Sequence, residues 1–319
     1  MRKILLLLVA TGLIFSCKKE HKKIVDVSST YVNFNIKRFD VDFYTTPKEN
    51  LQELKNKYPL LFPQNVLDSV WKNKMVNKDE QELFAETQKK YANFTSVKEQ
   101  LTSLFKHVKH YNPKFTEPNV ITMLTNIDYD SRVIYADSLL LISLDAYLGK
   151  NHEFYGSYPK YIKQNNTPEH IIVDVANTII EKQILTNTER TFLGKMITEG
   201  KKMYLLDAYL PSVPEKEKAG YSQEKLDWAI ANEEQIWKYF IEKDLLYSTD
   251  AKLDKRFIDL APFSKFYLAE DNKSPGQIGS WIGWKIVHSY MQNNDVSLRQ
   301  LLQLDIETIF KKSKYKPRR

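Results

Sequence analysis

The chain has 319 residues, 42% of them hydrophobic and 13% aromatic, enough apolar side chain for one large core or two smaller ones. Its single cysteine excludes an internal disulfide framework, so stability has to come from packing. The formal charge of +7 is a mild excess spread over a long chain, well short of the dense basic surface that nucleic-acid binding requires.

Residues 1–17 carry the clearest signal. Arg2 and Lys3 precede an apolar run from Ile4 to Phe15, then Ser16 and Cys17. Basic residues, a hydrophobic stretch of about a dozen and a small residue at the cut make a secretory signal, too short to span a bilayer. Cleavage after Ser16 would leave Cys17 at the new amino terminus, where its thiol and amine can both take lipid. Leu13-Ile14-Phe15-Ser16-Cys17 resembles a lipobox, which implies a bacterial lipoprotein. Loss of Arg2 and Lys3 lowers the formal charge from +7 to +5. The basic runs at Lys18-Lys19, Lys22-Lys23 and 311–319 then read as solvated tails. Lys18-Lys19-Glu20 lacks a run of acids after the cysteine, which favours a periplasm-facing anchor in the cell membrane or outer membrane. The expected organisation is a signal over 1–16, a tether over 17–30, one domain over 31–310 and a basic tail over 311–319.

Along the domain, residues 31–43 alternate by two in places and predict a half-buried strand. Helices are predicted over about 51–58, 66–75, 78–92 and 96–111, the last with Ser96 as N-cap and Glu99 three residues on. Strands follow at 120–124 and 133–144, around a turn in which Asp128 and Asp130 lack the glycine and the ligand count of a calcium loop. Thr167-Pro168 then opens a helix to about Leu185. Further helices are predicted over 189–209, 223–246, 277–291 and 297–310. The fold class is therefore α+β and predominantly helical, with a small amino-terminal sheet and a helical carboxy-terminal half.

His170, Asp174, Asn177 and Glu181 fall at i, i+4, i+7 and i+11 and share one helical face, with Glu199 on the next helix. A zinc peptidase writes such a helix as His-Glu-x-x-His, two imidazoles for the metal and a carboxylate to activate its water. Here the phrase is Val173-Asp174-Val175-Ala176-Asn177, with Val and Asn in the histidine places. Valine is no ligand and neutral Asn a poor one, so no cofactor is expected. His170, Asp174 and Glu199 remain as the only substitute metal set. His107 and His110, three apart on one helix, lack nearby acids, and His288 sits in an apolar helix. The stretch from Ser274 to Val287 carries small residues at 276, 279, 280 and 283, spaced for close helix packing or a ligand groove, while Trp281 and Trp284 are candidate partner-binding residues beside Asn177.

Lys37-Arg38-Phe39-Asp40, the run from Leu144 to Lys150, the run from Leu205 to Pro211 and the run from Pro275 to Tyr290, in that order behind a lipobox, resemble the gliding-motility lipoprotein family GldB. The resemblance covers nearly the whole chain. It implies an envelope lipoprotein needed for gliding and the linked secretion of surface proteins, with partners in that machinery, and it does not supply a reaction. The order of pieces is also similar to zincin-like peptidases, in which an edge strand, here within Ile134 to Ser143, precedes the metal helix. There an Ile-x-Glu-Gly phrase, here Ile197-Thr198-Glu199-Gly200, carries the third ligand. The expectation is a non-catalytic, protein-binding relative of that architecture. The alternative is a divergent zinc-dependent hydrolase using His170, Asp174 and Glu199.

Overall fold

The computed structural model describes residues 25–184 and 189–318. Cys17, the signal and most of the tether lie outside the described residues, as does the expected end of the 167–185 helix. The first strand is shorter than its alternation predicts. Only Ile36–Arg38 (β1) is extended, and the chain then coils into α1 (Phe39–Thr45). Phe39, Asp40, Phe43 and Tyr44 are all buried, a spacing that suits one helical face better than one side of a strand. Asp40 anchors the switch: it accepts two bonds from the Arg38 guanidinium, at 2.9 and 2.7 Å, one from Gln88 at 3.1 Å and one from the Thr122 hydroxyl.

Four strands form one sheet in the order β1-β2-β4-β3, with β2 at Asn119–Met123, β3 at Val133–Ala136 and β4 at Leu139–Ser143. β1 and β2 are parallel, as are β2 and β4, while β3 runs antiparallel on the edge. The single strand expected over 133–144 is thus a hairpin. Asp137, at φ 49°, takes the left-handed turn conformation that Asp tolerates better than most residues. Asp128 spends its carboxylate on the Asp130 amide (3.0 Å) and the Ser131 hydroxyl (2.7 Å), which is turn chemistry.

Between β1 and β2 the chain adds α2 (Leu51–Lys57), α3 (Asp68–Val76), α4 (Lys78–Tyr91) and α5 (Thr95–Tyr111). α5 starts one residue before the expected cap: Asn93, not Ser96, accepts the Thr95 amide (2.9 Å). After β4 come the single turn α6 (Lys160–Lys163), α7 (Ile171–Glu181) and the long α8 (Phe192–Tyr209), capped by Thr191. The remainder is α9 (Glu215–Ala219), α10 (Gln223–Ala231), α11 (Glu233–Glu242), α12 (Lys252–Phe257), α13 (Ile278–Asn293), α14 (Leu298–Gln303) and α15 (Ile306–Ser313). The helix expected over 223–246 breaks at Asn232, whose side chain bonds the Trp228 carbonyl at 2.8 Å and competes with the ladder. The one expected over 297–310 breaks where Asp305 caps α15, after Ser297 and Gln300 have boxed the start of α14. The carboxy-terminal segment is also less free than expected. Tyr315 packs edge-on against Trp237 and donates to Glu233 at 2.9 Å. No helix among the described residues is long and apolar enough to cross a membrane.

Two apolar clusters make up the core. One joins the sheet to α1, α4, α5 and α7, the other fills the space among α8, α11, α12, α13 and α15. α8 belongs to both, giving Leu205, Leu206 and Tyr209 to the first and Phe192, Met196 and Ile197 to the second.

Asp145, fully buried where β4 ends, holds the turn before β3 together. Its carboxylate accepts the amides of Thr125 (3.1 Å) and Ile127 (2.6 Å), and Asn126 and Ile127 both sit at positive φ, 59° and 57°. Burial pushes its carboxyl up to about 6, outweighing these amide bonds. The folded state therefore keeps its proton after the unfolded chain has lost it, so stability falls as pH rises from about 4 to about 6, by roughly 2–3 kcal/mol in all. Asp145→Asn should flatten that slope in denaturant titrations across this range, and an unchanged slope would assign it to another group.

Candidate functional site

α7 begins as a single 3-10 turn at Pro168–His170, so His170 enters at its threshold and Asp174 and Asn177 follow on the same face. Opposite lie α8, the turn from Tyr129 to Arg132, the residues after α9 and the start of α13. They enclose a cleft of about 380 Å3, and its walls include His170, Val173, Asp174, Asn177, Glu181 and Glu199. The structure thus gathers the residues that helical spacing had aligned. Trp281 forms part of the wall, but both Trp281 and Trp284 are only 1% exposed and neither offers an open ring to a partner. Their indole N–H groups are committed inward, to Glu215 (3.2 Å) and Asp207 (2.7 Å). Large rings on α13 bury there because α8 approaches closely enough to cover them. Asn177 is half-buried on the wall of the cleft.

The floor is built around a charge pair that the motif reading had not foreseen. Arg132, 7% exposed, sends one guanidinium nitrogen to Asp174 and to the Asn165 carbonyl (3.0 Å). Its plane lies over the rings of Tyr129 and Tyr147, 5.2 and 4.9 Å away. The Tyr147 hydroxyl donates to the same Asp174 oxygen at 2.7 Å, and burial lifts that phenol far above its usual range. His170, 4% exposed, stands 3.5 Å from Asp174 through Nε2 and 3.8 Å from Glu217 through Nδ1. The imidazole beside Glu217 holds its carboxyl below the usual range.

Glu199, on the wall of the cleft, pairs with Lys202 on its own helix at 2.8 Å. Among the described residues, no group of three His, Cys, Asp or Glu side chains is placed to hold a metal ion. The other histidines are dispersed. His107 is buried with Nδ1 on the Ser103 carbonyl, while His110 is exposed.

Behind the cleft wall, Asp207 of α8 accepts from Lys218 (2.8 Å), Trp284 (2.7 Å) and His288 (2.7 Å), joining α8, α9 and α13 at one carboxylate. Burial alone would raise its pKa, but His288 and Lys218 outweigh that and hold it below the ordinary value. Sequence spacing could not find this cluster. Asp207, Lys218 and His288 come from three separate elements; the Leu205 to Pro211 and Pro275 to Tyr290 phrases contain two of them, but nothing in either phrase joins them.

The small residues are explained by contact. A Cβ on Gly283 would lie 1.7 Å from the Met196 carbonyl oxygen, and one on Gly200 would lie 2.3 Å from the Gly283 carbonyl. α8 and α13 therefore touch backbone to backbone, and this crossing fixes the wall carrying Glu199 against the wall carrying Trp281.

The molecule is thus a helix-rich α+β protein whose two cores share one helix and flank a polar cleft. The family model described as gliding motility protein GldB matches residues 20–317, nearly the whole chain, and the protein belongs to that family. It is accordingly a lipoprotein of the cell envelope involved in gliding motility. No curated protein and no solved structure matches the chain.

Proposed function

We propose that the protein is a lipid-anchored component of the gliding apparatus and the linked protein secretion, holding a partner protein in this cleft without catalysing a reaction. The observation that carries the reading is what occupies the cleft face of α7. Val173 and Asn177 stand where a zincin would place its two imidazoles. Asp174, in the place of the water-activating carboxylate, is tied to Arg132 and Tyr147. An antiparallel edge strand beside the helix, and Glu199 on the helix that follows, support descent of the architecture from a zincin-like plan. In such a protein the outer side of β3 is suited to adding an extended peptide as a further strand, with Ile134 40% exposed along it.

A photoreactive amino acid at position 177 tests the reading in living cells. The expected result is a discrete crosslink to an envelope protein of the motility or secretion machinery, absent when the same probe sits at exposed Lys98 on α5. Identical products from both positions would remove the cleft as the binding site. Metal analysis of the same gently purified protein separates the alternative: stoichiometric zinc that leaves in a His170→Ala variant would establish a divergent hydrolase, and the expected content is far below one per chain.

A further inference from the structure

Past Gly220, Tyr221, Leu260 and Gln277 the cleft runs on into a second pocket, of about 540 Å3 against about 380 Å3 for the cleft itself. The two differ in character. The second is walled by Pro159, Tyr161, Tyr221, Leu260, Pro262 and Pro275, and the charged residues on its lining are Lys160 and Lys225, both cationic. Lys225 donates to the carbonyls of Asn272 (2.6 Å) and Ser274 (2.8 Å), and burial pushes its pKa down against a weaker opposing pull from neighbouring Glu224. Lys160 is exposed and has no ion pair among the described residues. In the first cleft, by contrast, Arg132, Lys202 and Lys218 each have a carboxylate partner.

Backbone contact braces the wall of the pocket. A Cβ on Gly276 would come within 2.1 Å of the Ala261 carbonyl oxygen, so the two loops that form its wall touch backbone to backbone. The Tyr221 hydroxyl pins the same Gly276 through its carbonyl, at 2.8 Å. An apolar pocket braced by backbone contact, under a rim whose two lysines form no ion pair among the described residues, selects by charge as well as by shape.

We propose that this pocket receives an apolar side chain from an extended acidic segment of the partner protein, whose carboxylates meet Lys160 and Lys225 while its backbone continues into the cleft. The proposal rests on the reading of the cleft as a partner site and names the chemistry of what enters. Aromatic or branched side chains fit the proline and tyrosine walls, and Asp or Glu next to them, or a chain-terminal carboxylate, supplies the charge.

The test uses the full chain in detergent and a dye-labelled nonapeptide, blocked at both ends, with a central Phe between pairs of Asp. Its counterparts carry Lys for Asp, or a free C-terminal carboxylate as the only acid. Fluorescence anisotropy should show saturable binding of an acid-bearing peptide and binding of the Lys version at least about tenfold weaker. Lys160→Glu, a change on an exposed side chain, should weaken the acidic peptide about five- to tenfold. Ala261→Leu, which narrows the pocket, should do so with no change of charge. Comparable binding of acidic and basic peptides, no binding of any, or binding indifferent to both variants would overturn the proposal. If the crosslink at position 177 survives in Lys160→Glu while the peptides fail, the pocket is excluded and the cleft reading stands; loss of that crosslink in the parent protein removes the cleft reading itself.

Discussion

Gly283→Ala is expected to lower stability by about 3 kcal/mol or more, the largest effect of an added methyl group among the described glycines. The new Cβ would have to occupy space 1.7 Å from the Met196 carbonyl oxygen, which belongs to helix backbone and cannot swing aside. Overpacking of a side-chain core costs about 1–3 kcal/mol because rotamers can yield, whereas here α8 and α13 must separate. Separation loosens Ile197, Ile282, Ile286 and Val287, all fully buried on the two helices, and shifts the cleft wall that carries Glu199. In a chain of this size the loss should appear as a fall in melting temperature of roughly 5–15 °C by circular dichroism. Gly200→Ala acts on the same crossing, so the double variant should lose less than the sum of the singles. Gly156→Ala provides the control, since its Cβ meets nothing closer than the Glu153 carbonyl at 3.2 Å. A Gly283→Ala protein melting within about 2 °C of the parent would show that the helices do not touch as described.

That crossing was half legible in the sequence. Small residues at 276, 279, 280 and 283 announced a close approach on one helical face, which Gly283 makes on α13 while Gly276 lies ahead of the helix and meets Ala261 instead, but nothing in their spacing could name Gly200 on α8 as the partner. The same division runs through the fold. Periodicity located the helices, because burial of one face repeats every three or four residues whatever the tertiary context. It missed the breaks at Asn232 and Asp305 and the turn at Asp137, where one polar side chain or one left-handed residue ends an element inside a continuous apolar pattern. Alternation over 31–43 misled for a related reason, since Phe39, Phe43 and Tyr44 satisfy a helix as well as a strand.

For the site, helical spacing assembled His170, Asp174, Asn177 and Glu181 correctly because the four belong to one short segment. Arg132 was invisible: it enters from the sheet, 42 positions away, and no motif links it to α7. Asp40, Asp145 and Asp207 each stand in a phrase that carried the family resemblance, and each ties separate elements through its carboxylate. Those phrases are therefore marks of architecture, which is why they identified a family without disclosing a reaction.

The charge pair at the cleft floor gives the second large effect and separates a structural carboxylate from a catalytic one. Arg132→Met should cost about 3–5 kcal/mol, since it leaves Asp174 in the cleft floor without its cation. Asp174→Asn should cost at least as much, because Arg132 cannot shed its charge at any accessible pH and is the more deeply buried partner, 8% against 22% side-chain exposure. Replacing both partners with Met and Leu should recover most of the loss, because well-packed apolar groups can substitute for a buried ion pair. A carboxylate kept free to activate water would behave in the opposite manner: Asp174→Asn would leave denaturant midpoints unchanged and would remove a chelator-sensitive hydrolysis. Denaturant midpoints for the two single variants decide between these outcomes. If Asp174→Asn is neutral, the pair is not what closes the floor of the cleft, and Asp174 returns as a candidate for chemistry.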